Sequence, residues 1–314
     1  MITTLTLNAA LDKTYYLQTL SIGQTNRLRD VHIEPGGKGI NVAKVLHSLG
    51  LEVTAGGFIG GNNGKVISAL LQDRGVGHEF IGIQGESRTC LTIIDNEREE
   101  ETEILESGPN ISSEDWEKIC HFTDAAAKKS TIMTLSGSLP QGVPADGYGQ
   151  LIDIIKQNGS KAILDSSGAA LRYGLEKAPF AVKPNERELK QWLNKETLSL
   201  SEALEAGKMF IQKGIQYVCL SLGKEGALFF TRDEVFHVKA PVVNAVNTIG
   251  CGDAMVAGLA AGFYQNLPAR DVILLAAACG SANAMMPQAG QVALTDLEEL
   301  RKQVVVKKID NILS

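Results

Sequence analysis

Short apolar runs alternate with stretches whose hydrophobic residues recur at helical spacing along most of this chain. The runs Ile2–Leu7, Val53–Ile59, Thr131–Ser136, Lys161–Asp165, Phe180–Lys183 and Gln216–Ser221 have the length and near-continuous apolarity of buried strands. Between them, Ile40–Leu49, Lys65–Arg74, Glu114–Lys128, Tyr148–Gln157, Glu186–Leu193 and Ser201–Lys213 carry a helical period. That alternation predicts an α/β fold, a central mostly parallel sheet flanked by helices on both faces. The last third changes character, with Asp253–Gln265, Ala269–Met286 and Thr295–Val304 reading as long helices.

Two stretches break the pattern. Tyr15–Ile33 and Arg88–Glu106 alternate in polarity with no helix between, and the second is two short strands around an acidic turn. Four such strands could form a small sheet beside the main one, because antiparallel sheets tolerate one wet face. Such a sheet would be a lid or dimer clasp, or simply surface hairpins.

Charge narrows the partners. Thirty basic against 36 acidic residues give a net charge of −6 over 314 residues, with no Lys/Arg run. This argues against nucleic-acid and anionic-membrane binding. An anionic substrate would need cations concentrated locally. The longest apolar stretch, Val272 to Met286, is broken by Gly280, Ser281 and Asn283 and falls short of the ~18 residues of a membrane span. The first residues show no basic region followed by an apolar one, so no signal peptide is expected. Cys90, Cys120, Cys219, Cys251 and Cys279 are scattered without a CxxC, and the histidines form no HExxH. Neither a disulfide framework nor a zinc site is indicated, and a cytoplasmic location with reduced thiols is the expectation.

The common nucleotide and hydrolase fingerprints fail. Gly60 to Val66 has three residues between Gly60 and Gly64 where a P-loop needs four, and Val66 has no hydroxyl for Mg²⁺. Gly250-Cys251-Gly252-Asp253-Ala254-Met255 has Met in the third glycine position of a dinucleotide fingerprint. Ser136-Gly137-Ser138 lacks the spacing of a nucleophile elbow.

Four motifs remain. Pro35-Gly36-Gly37-Lys38-Gly39-Ile40-Asn41 leads straight into a helix. Its glycines allow close backbone approach, the helix start offers free N–H groups, and Asn41 can donate to and accept from hydroxyls. A phosphorylated or polyhydroxylated ligand suits it; a tight strand-to-helix turn would also use glycine. Asn247 to Met255 turns through Gly250 and Gly252 into an apolar helix with Asp253 in its first turn. Asp253 is either a helix-start carboxylate and no more, or a general base beside an anion hole of the Gly250 to Asp253 amides. The helix dipole would hold it ionised and make it a weaker base, which phosphoryl transfer tolerates. In Lys183-Pro184-Asn185-Glu186-Arg187-Glu188, Asn185 and Glu188 share a helical face. They could serve a water-rich Mg²⁺ or close a capping box. Ser221 to Ala227 is a strand-end loop with Gly223 and Gly226.

In this order and spacing the motifs resemble the ribokinase-like (PfkB) family of carbohydrate kinases, essentially end to end. Thr6 to Asp12, Ser136-Gly137-Ser138-Leu139-Pro140 and Asp165-Ser166-Ser167-Gly168 resemble its phosphosugar branch, the 1-phosphofructokinase, tagatose-6-phosphate kinase and minor 6-phosphofructokinase group. The resemblance implies a ribokinase-like fold with a small β-sheet lid, often used for dimerisation. The core would take residues 1–10, 35–86 and 108–314, and the lid 11–34 and 87–107. It implies that Asp12, Gly37, Lys38, Asn41 and Ser138 hold the sugar. Arg27 and Arg88 stand where the branch grips the substrate's phosphate, with Arg29 and Lys38 as further cations. Such arginines would supply the local positive charge, since Arg grips phosphate bidentately. It implies ATP and Mg²⁺ as cofactors. Lys183, Asn185, Ser221, Gly223, Gly226 and Thr248 would face the nucleotide, with Glu188 and Asn185 serving the metal through water. The adenine pocket would take the loop near Val238–Val243 and the helix with Gly280, Ser281 and Asn283. Gly250, Cys251 and Gly252 would form the anion hole and Asp253 would take the proton.

Two departures stand out. Cys251 occupies a place more often held by Ala or Ser; a thiol at a helix start can have a depressed pKa and react, or can merely fill space. Potassium-dependent ribokinases carry Asp at the place of Asn247, so the neutral amide argues against monovalent-cation activation. The reading is therefore an ATP-dependent kinase of a ketohexose monophosphate, fructose 1-phosphate or tagatose 6-phosphate. Gly37 to Leu46 resembles the first kind and Thr102 to Pro109 the second. A homodimer through the lid is a further expectation. A kinase of an unphosphorylated sugar or nucleoside, and a non-catalytic sugar-phosphate sensor, are the alternatives.

Overall fold

The computed structural model describes residues 1–28, 30–98 and 100–309. The chain begins β1 (Ile2–Thr6), β2 (Ala10–Leu17), β3 (Val31–Gly36), α1 (Lys38–Ser48), β4 (Val53–Gly60), α2 (Gly61–Asp73), β5 (Gly77–Ile83), β6 (Arg88–Asp95) and β7 (Glu100–Leu105). It continues through α3 (Ser113–Ala127), β8 (Ile132–Ser136), α4 (Gly147–Gln157), β9 (Lys161–Asp165), α5 (Gly168–Glu176), β10 (Ala181–Val182), α6 (Glu186–Leu193) and α7 (Leu200–Gln212). Then come β11 (Tyr217–Ser221), β12 (Ala227–Phe230), β13 (Val235–Lys239), α8 (Cys251–Tyr264), α9 (Ala269–Ala284), α10 (Leu294–Gln303) and β14 (Val305–Lys308).

Ten of these strands form one sheet in the order β14-β13-β12-β11-β10-β9-β8-β1-β4-β5. It is parallel from β11 through β5 and antiparallel only where β12, β13 and β14 are added. The expected mostly parallel α/β architecture is observed. The strands read as unbroken apolar runs because the sheet is covered on both faces. Ile2, Ile132 and Ile163 face a core shared with α1, α2, α8, α9 and α10. Leu5, Met133, Leu135 and Leu164 face the opposite core, with α3, α4, α5, α6 and α7. Among the described residues no helix is long and apolar enough to cross a membrane.

β2, β3, β6 and β7 form a separate small sheet in the order β3-β2-β6-β7. Within the stretch Tyr15–Ile33 the chain is not continuous strand. β2 starts early, at Ala10, and leaves at Leu17; β3 returns at Val31 and runs to Gly36. The loop between is closed locally by Asn26, whose Oδ1 accepts from the Ser21 amide and whose Nδ2 donates to the Ser21 carbonyl. Such side-chain-to-backbone bonds compete with strand pairing. The short strand expected at Phe180–Lys183 keeps only Ala181 and Val182, since Pro184 cannot continue a ladder.

Candidate active site

Polar residues gather at the carboxyl ends of the parallel strands, where open α/β sheets bind ligands. Asp165 closes β9 and is fully buried. Lys183, just past β10, lies 3.3 Å from its Oδ1, and Lys38, the first residue of α1, lies 3.2 Å from its Oδ2. Burial opposes ionisation of Asp165, but Lys183 and then Lys38 outweigh it and hold the carboxyl below its ordinary pKa. Lys38 also approaches Glu188 Oε1 at 3.6 Å. Burial works against the Lys38 ammonium, yet Asp165, Asp253 and Glu188 together raise its pKa.

Asp253 stands above this group in the first turn of α8. The turn is made by Gly250, at φ 81°, and a Cβ there would meet Ala289 Cβ at 2.8 Å. Only glycine enters that conformation and that space freely. The Gly252 and Asp253 amides have no carbonyl partner among the described residues, as befits a helix start. Asn41 Nδ2 donates to Asp253 Oδ2 at 2.9 Å. Burial pushes the Asp253 carboxyl up to about 6, against the pull of Lys38, and Asp165 adds to the rise. The sequence-based expectation of a carboxyl held below its ordinary pKa is not met: burial sets the direction, and the Asp253 pKa is raised.

α1 approaches the same point from the other side. Gly37 precedes the helix at φ 103°, and a Cβ there would lie 2.7 Å from Thr6 Cγ2. A Cβ on Gly36 would fall 2.0 Å from the Asp12 carboxylate, so the glycines let the small sheet press Asp12 against the turn. Burial pushes Asp12 up to about 6; Lys44 and Arg88 oppose this, and Asp253 adds to it. Arg88 is anchored by donating from Nε to the Asn8 carbonyl at 3.2 Å and from Nη1 to the Glu106 carbonyl at 3.3 Å. Ser138 Oγ accepts from Asn8 Nδ2 at 3.3 Å. Arg27 is exposed in the loop between β2 and β3 and makes no ion pair among the described residues. Arg29 lies outside the described residues.

Beside Lys38, Asn185 and Glu188 form the capping box: Asn185 Oδ1 accepts from the Glu188 amide and Glu188 Oε2 from the Asn185 amide, each at 2.9 Å. Ser221 pairs with Asn185 through a β-bridge. Gly223 and Thr248 are exposed. Gly226 sits at φ 89°, where a Cβ would meet the Val238 carbonyl at 2.0 Å. Gly280 is a packing glycine, with a Cβ there 2.9 Å from Met255 Cγ. Asn283 is fully buried, and backbone takes both ends of its amide. Nδ2 donates to the Ile249 carbonyl at 2.9 Å, and Oδ1 accepts from Gly290 N at 2.8 Å. It is thus a clamp on the glycine turn and not a free nucleotide contact. Asn247 is similarly engaged, accepting from Ile249 N at 2.8 Å and donating to Pro287 O at 3.1 Å. Burial raises the pKa of Cys251 despite a contact from the Asn283 amide, so the depressed thiol pKa is not realised and the space-filling reading stands.

The residues fit a metal only in a limited way. Among the described residues no cluster of three or more His, Cys, Asp or Glu could hold an ion. Asn185 and Glu188 spend one bond each on the capping box and keep further lone pairs, which suits a water-carrying Mg²⁺ whose main ligands are phosphates.

Two residues at this site escaped the sequence reading as site members. Asp165 joins the two lysines, and its signal was a carboxylate closing an otherwise apolar strand. Lys44 lies buried on α1, and its signal was a lysine inside the apolar run Val42-Ala43-Lys44-Val45-Leu46.

The profile of the pfkB family of carbohydrate kinases matches residues 5–295. A candidate phosphofructokinase of Staphylococcus aureus is 31% identical, with 99% of each chain covered and a TM-score of 0.84. Phosphofructokinase-2 of Escherichia coli, solved with potassium, is 26% identical with a TM-score of 0.91; solved with fructose-6-phosphate it aligns at 27% and 0.89. Both cover 96% of this chain and 98% of the other. A candidate 1-phosphofructokinase of Thermotoga maritima shares the fold, at 23% identity and a TM-score of 0.90 over 98% of this chain and 99% of that one.

Proposed function

This chain belongs to the pfkB family of carbohydrate kinases, and from that premise we propose that it phosphorylates a ketohexose monophosphate, fructose 1-phosphate or tagatose 6-phosphate, to the 1,6-bisphosphate. The observation that carries this reading is the buried Asp253, set among free helix-start amides and held by Asn41 beside Lys38 and Asp165. A sensor has no need of a base so placed. MgATP supplies the phosphoryl group and the metal's charge neutralisation. Asp253 takes the proton from the attacking hydroxyl as the new O–P bond forms and the bond to ADP breaks. The amides of Gly250, Cys251 and Gly252 would face the negative charge, the Cys251 amide giving up its 3.4 Å bond to the Thr248 carbonyl, and Lys38 and Lys183 add cations near it. The transition state is loose, so such positioning and charge stabilisation carry most of the work. Asn185 and Glu188 would hold Mg²⁺ through water, while Lys183, Asn185, Ser221, Gly223, Gly226 and Thr248 would border the nucleotide. Asp12, Gly37, Asn41 and Ser138 would hold the sugar. The small sheet, taken as 11–34 and 87–107, would be the lid over it and the face of a homodimer.

The test is ADP release with MgATP over fructose 1-phosphate, tagatose 6-phosphate, fructose 6-phosphate and free fructose. Turnover with fructose 1-phosphate or tagatose 6-phosphate is expected. Turnover with none of the phosphosugars overturns the proposal; reaction of free fructose alone favours a kinase of unphosphorylated sugars, and binding without turnover a sensor.

Arg88 supplies a second check. Two of its five N–H donors anchor it to backbone carbonyls, leaving the rest for an incoming phosphate. Arg88→Ala is expected to raise the phosphosugar KM by roughly 30- to 100-fold, the loss of a charge-assisted pair, with the KM for ATP nearly unchanged. Arg27→Ala should act in the same direction. Equal weakening of both substrates would remove Arg88 from the phosphate site.

A further inference from the structure

Lys44 has no part in the chemistry above, yet it is one of the most deeply buried charges of the chain, with 4% of its side chain exposed. It lies one turn beyond Asn41 on α1. Its ammonium has three donors and meets three acceptors: Asn41 Oδ1 at 3.3 Å, the Pro35 carbonyl at 3.5 Å and Glu34 Oε2 at 3.6 Å. Glu34 is held in turn by Arg74 at 2.5 Å. Gly290 seals the group from above, since a Cβ there would lie 2.8 Å from Lys44 Cε and 2.9 Å from Asn41 Cα. Gly290 is itself pinned by Asn283. An apolar residue in this enclosed place would avoid the desolvation that a buried charge suffers.

We propose that Lys44 is a positioning residue that fixes the direction of the Asn41 amide and thereby presents Nδ2 to Asp253. An asparagine amide has one accepting and one donating end, nearly alike in shape. Which end faces Asp253 depends on what occupies the other. An ammonium has donors only, so it takes Oδ1 and leaves Nδ2 for the carboxylate. Without Lys44 the amide can turn its oxygen toward Asp253, where two acceptors would repel. The same ammonium ties α1 to the small sheet through Glu34 and Pro35, so the aim of Asn41 is set partly by β3. Asp253 is faced as well by Lys38 from α1, Asp165 from β9, Lys183 beyond β10, Asp12 from β2 and Cys251 on its own turn; of these, Asp12 also feels the Lys44 charge, which opposes the rise of its pKa.

The inference deepens the proposed function and rests on it for its kinetic arm. Lys44→Met is expected to lower kcat about tenfold, the worth of one hydrogen bond to a charged group, with the KM for ATP unchanged. The acid limb of the pH–rate profile should move up by about one pH unit. In an Asn41→Ala background, Lys44→Met should not lower kcat further, and any remaining move of the acid limb measures the loss of the Lys44 charge beside Asp12. Should Lys44→Met fail to fold, the paired Glu34→Gln/Lys44→Met variant removes both charges and is measured in its place. A second arm needs no turnover: the ¹³C titration of the Asp253 carboxyl, assigned by its loss in Asp253→Asn, should shift upward in the Lys44 variant and not in the Asn41 background. A folded variant with wild-type kcat and titration, or a loss additive with that of Asn41→Ala, overturns the proposal. If no phosphosugar reacts with the wild type, the functional reading fails while the titration still decides the role of Lys44.

Discussion

Asp253→Asn is expected to reduce kcat about a thousandfold, within the range of a removed general base, while the KM for ATP stays close to wild type. The amide keeps the shape of the carboxylate and can still accept from Asn41, so the glycine turn and its free amides should persist. What is lost is the site that receives the proton. In the wild type that site has a pKa pushed up to about 6 by burial. The base works only when ionised, so kcat/KM should rise as pH increases through about 6 and level above it. Asp12 is also pushed up to about 6, partly by Asp253, so the limb reports the two carboxyls together. Stability should move the other way. A carboxyl whose folded pKa is raised favours folding when protonated, and that stability is lost as pH climbs from about 4 to about 6. Near neutrality the ionised Asp253 therefore costs the fold of the order of 3 kcal/mol, which the amide relieves. Steady-state kinetics across that range, with urea unfolding of both proteins, checks the pair of effects. A variant that keeps wild-type kcat would show that Asp253 is not the base.

That Asp253 could be read at all follows from its punctuation. Gly250 and Gly252 mark a turn into a helix, and an acid in the first helical turn is visible in one window of sequence. Its basicity was not visible, because the elements that bury it, α1, β9 and the residues after β10, lie far away along the chain. The same distance hid Asp165: its partner Lys38 is 127 residues away. Buried strands showed as apolar runs for a local reason, coverage on both faces. Edge strands did not. Among the described residues β5 pairs only with β4, and β14 only with β13, so neither needs continuous apolarity, and Gly77–Ile83 and Val305–Lys308 carry polar and charged residues. α5 was missed because packing overrode propensity. Gly174 weakens a helix in isolation, but a Cβ there would sit 2.4 Å from Leu164 Cδ2, and the helix gains its close seat on β9 through that glycine. The two irregular stretches gave the small sheet its strands but not their ends, since the ends are set by side-chain bonds in the loop and by contact with the Gly36-Gly37 turn.

Asp165→Asn should have the largest effect on stability, a loss of about 3–5 kcal/mol near neutral pH. Lys183 has 2% of its side chain exposed and Asp165 none. Removing the carboxylate leaves the lysine charge buried without its counter-ion, and it also releases Lys38. Breaking one partner of a buried pair is more damaging than replacing both by apolar groups. Asp165→Asn/Lys183→Met should therefore be more stable than Asp165→Asn alone, a non-additivity expected of groups in one network. The pH dependence has the opposite sign to that of Asp253. The folded pKa of Asp165 is held below its ordinary value, so its contribution is complete above about pH 4 and fades as pH falls below that. The gap between wild type and Asp165→Asn should accordingly narrow on acidification, whereas the gain from Asp253→Asn should grow as pH rises from about 4 and be complete above about 6. Urea unfolding at several pH values separates the two carboxylates on one protein. Equal stability of wild type and Asp165→Asn at neutral pH would show that the lysines at the strand ends need no counter-charge, and the electrostatic account of the site would then have to rest on Asp253 and Glu188 alone.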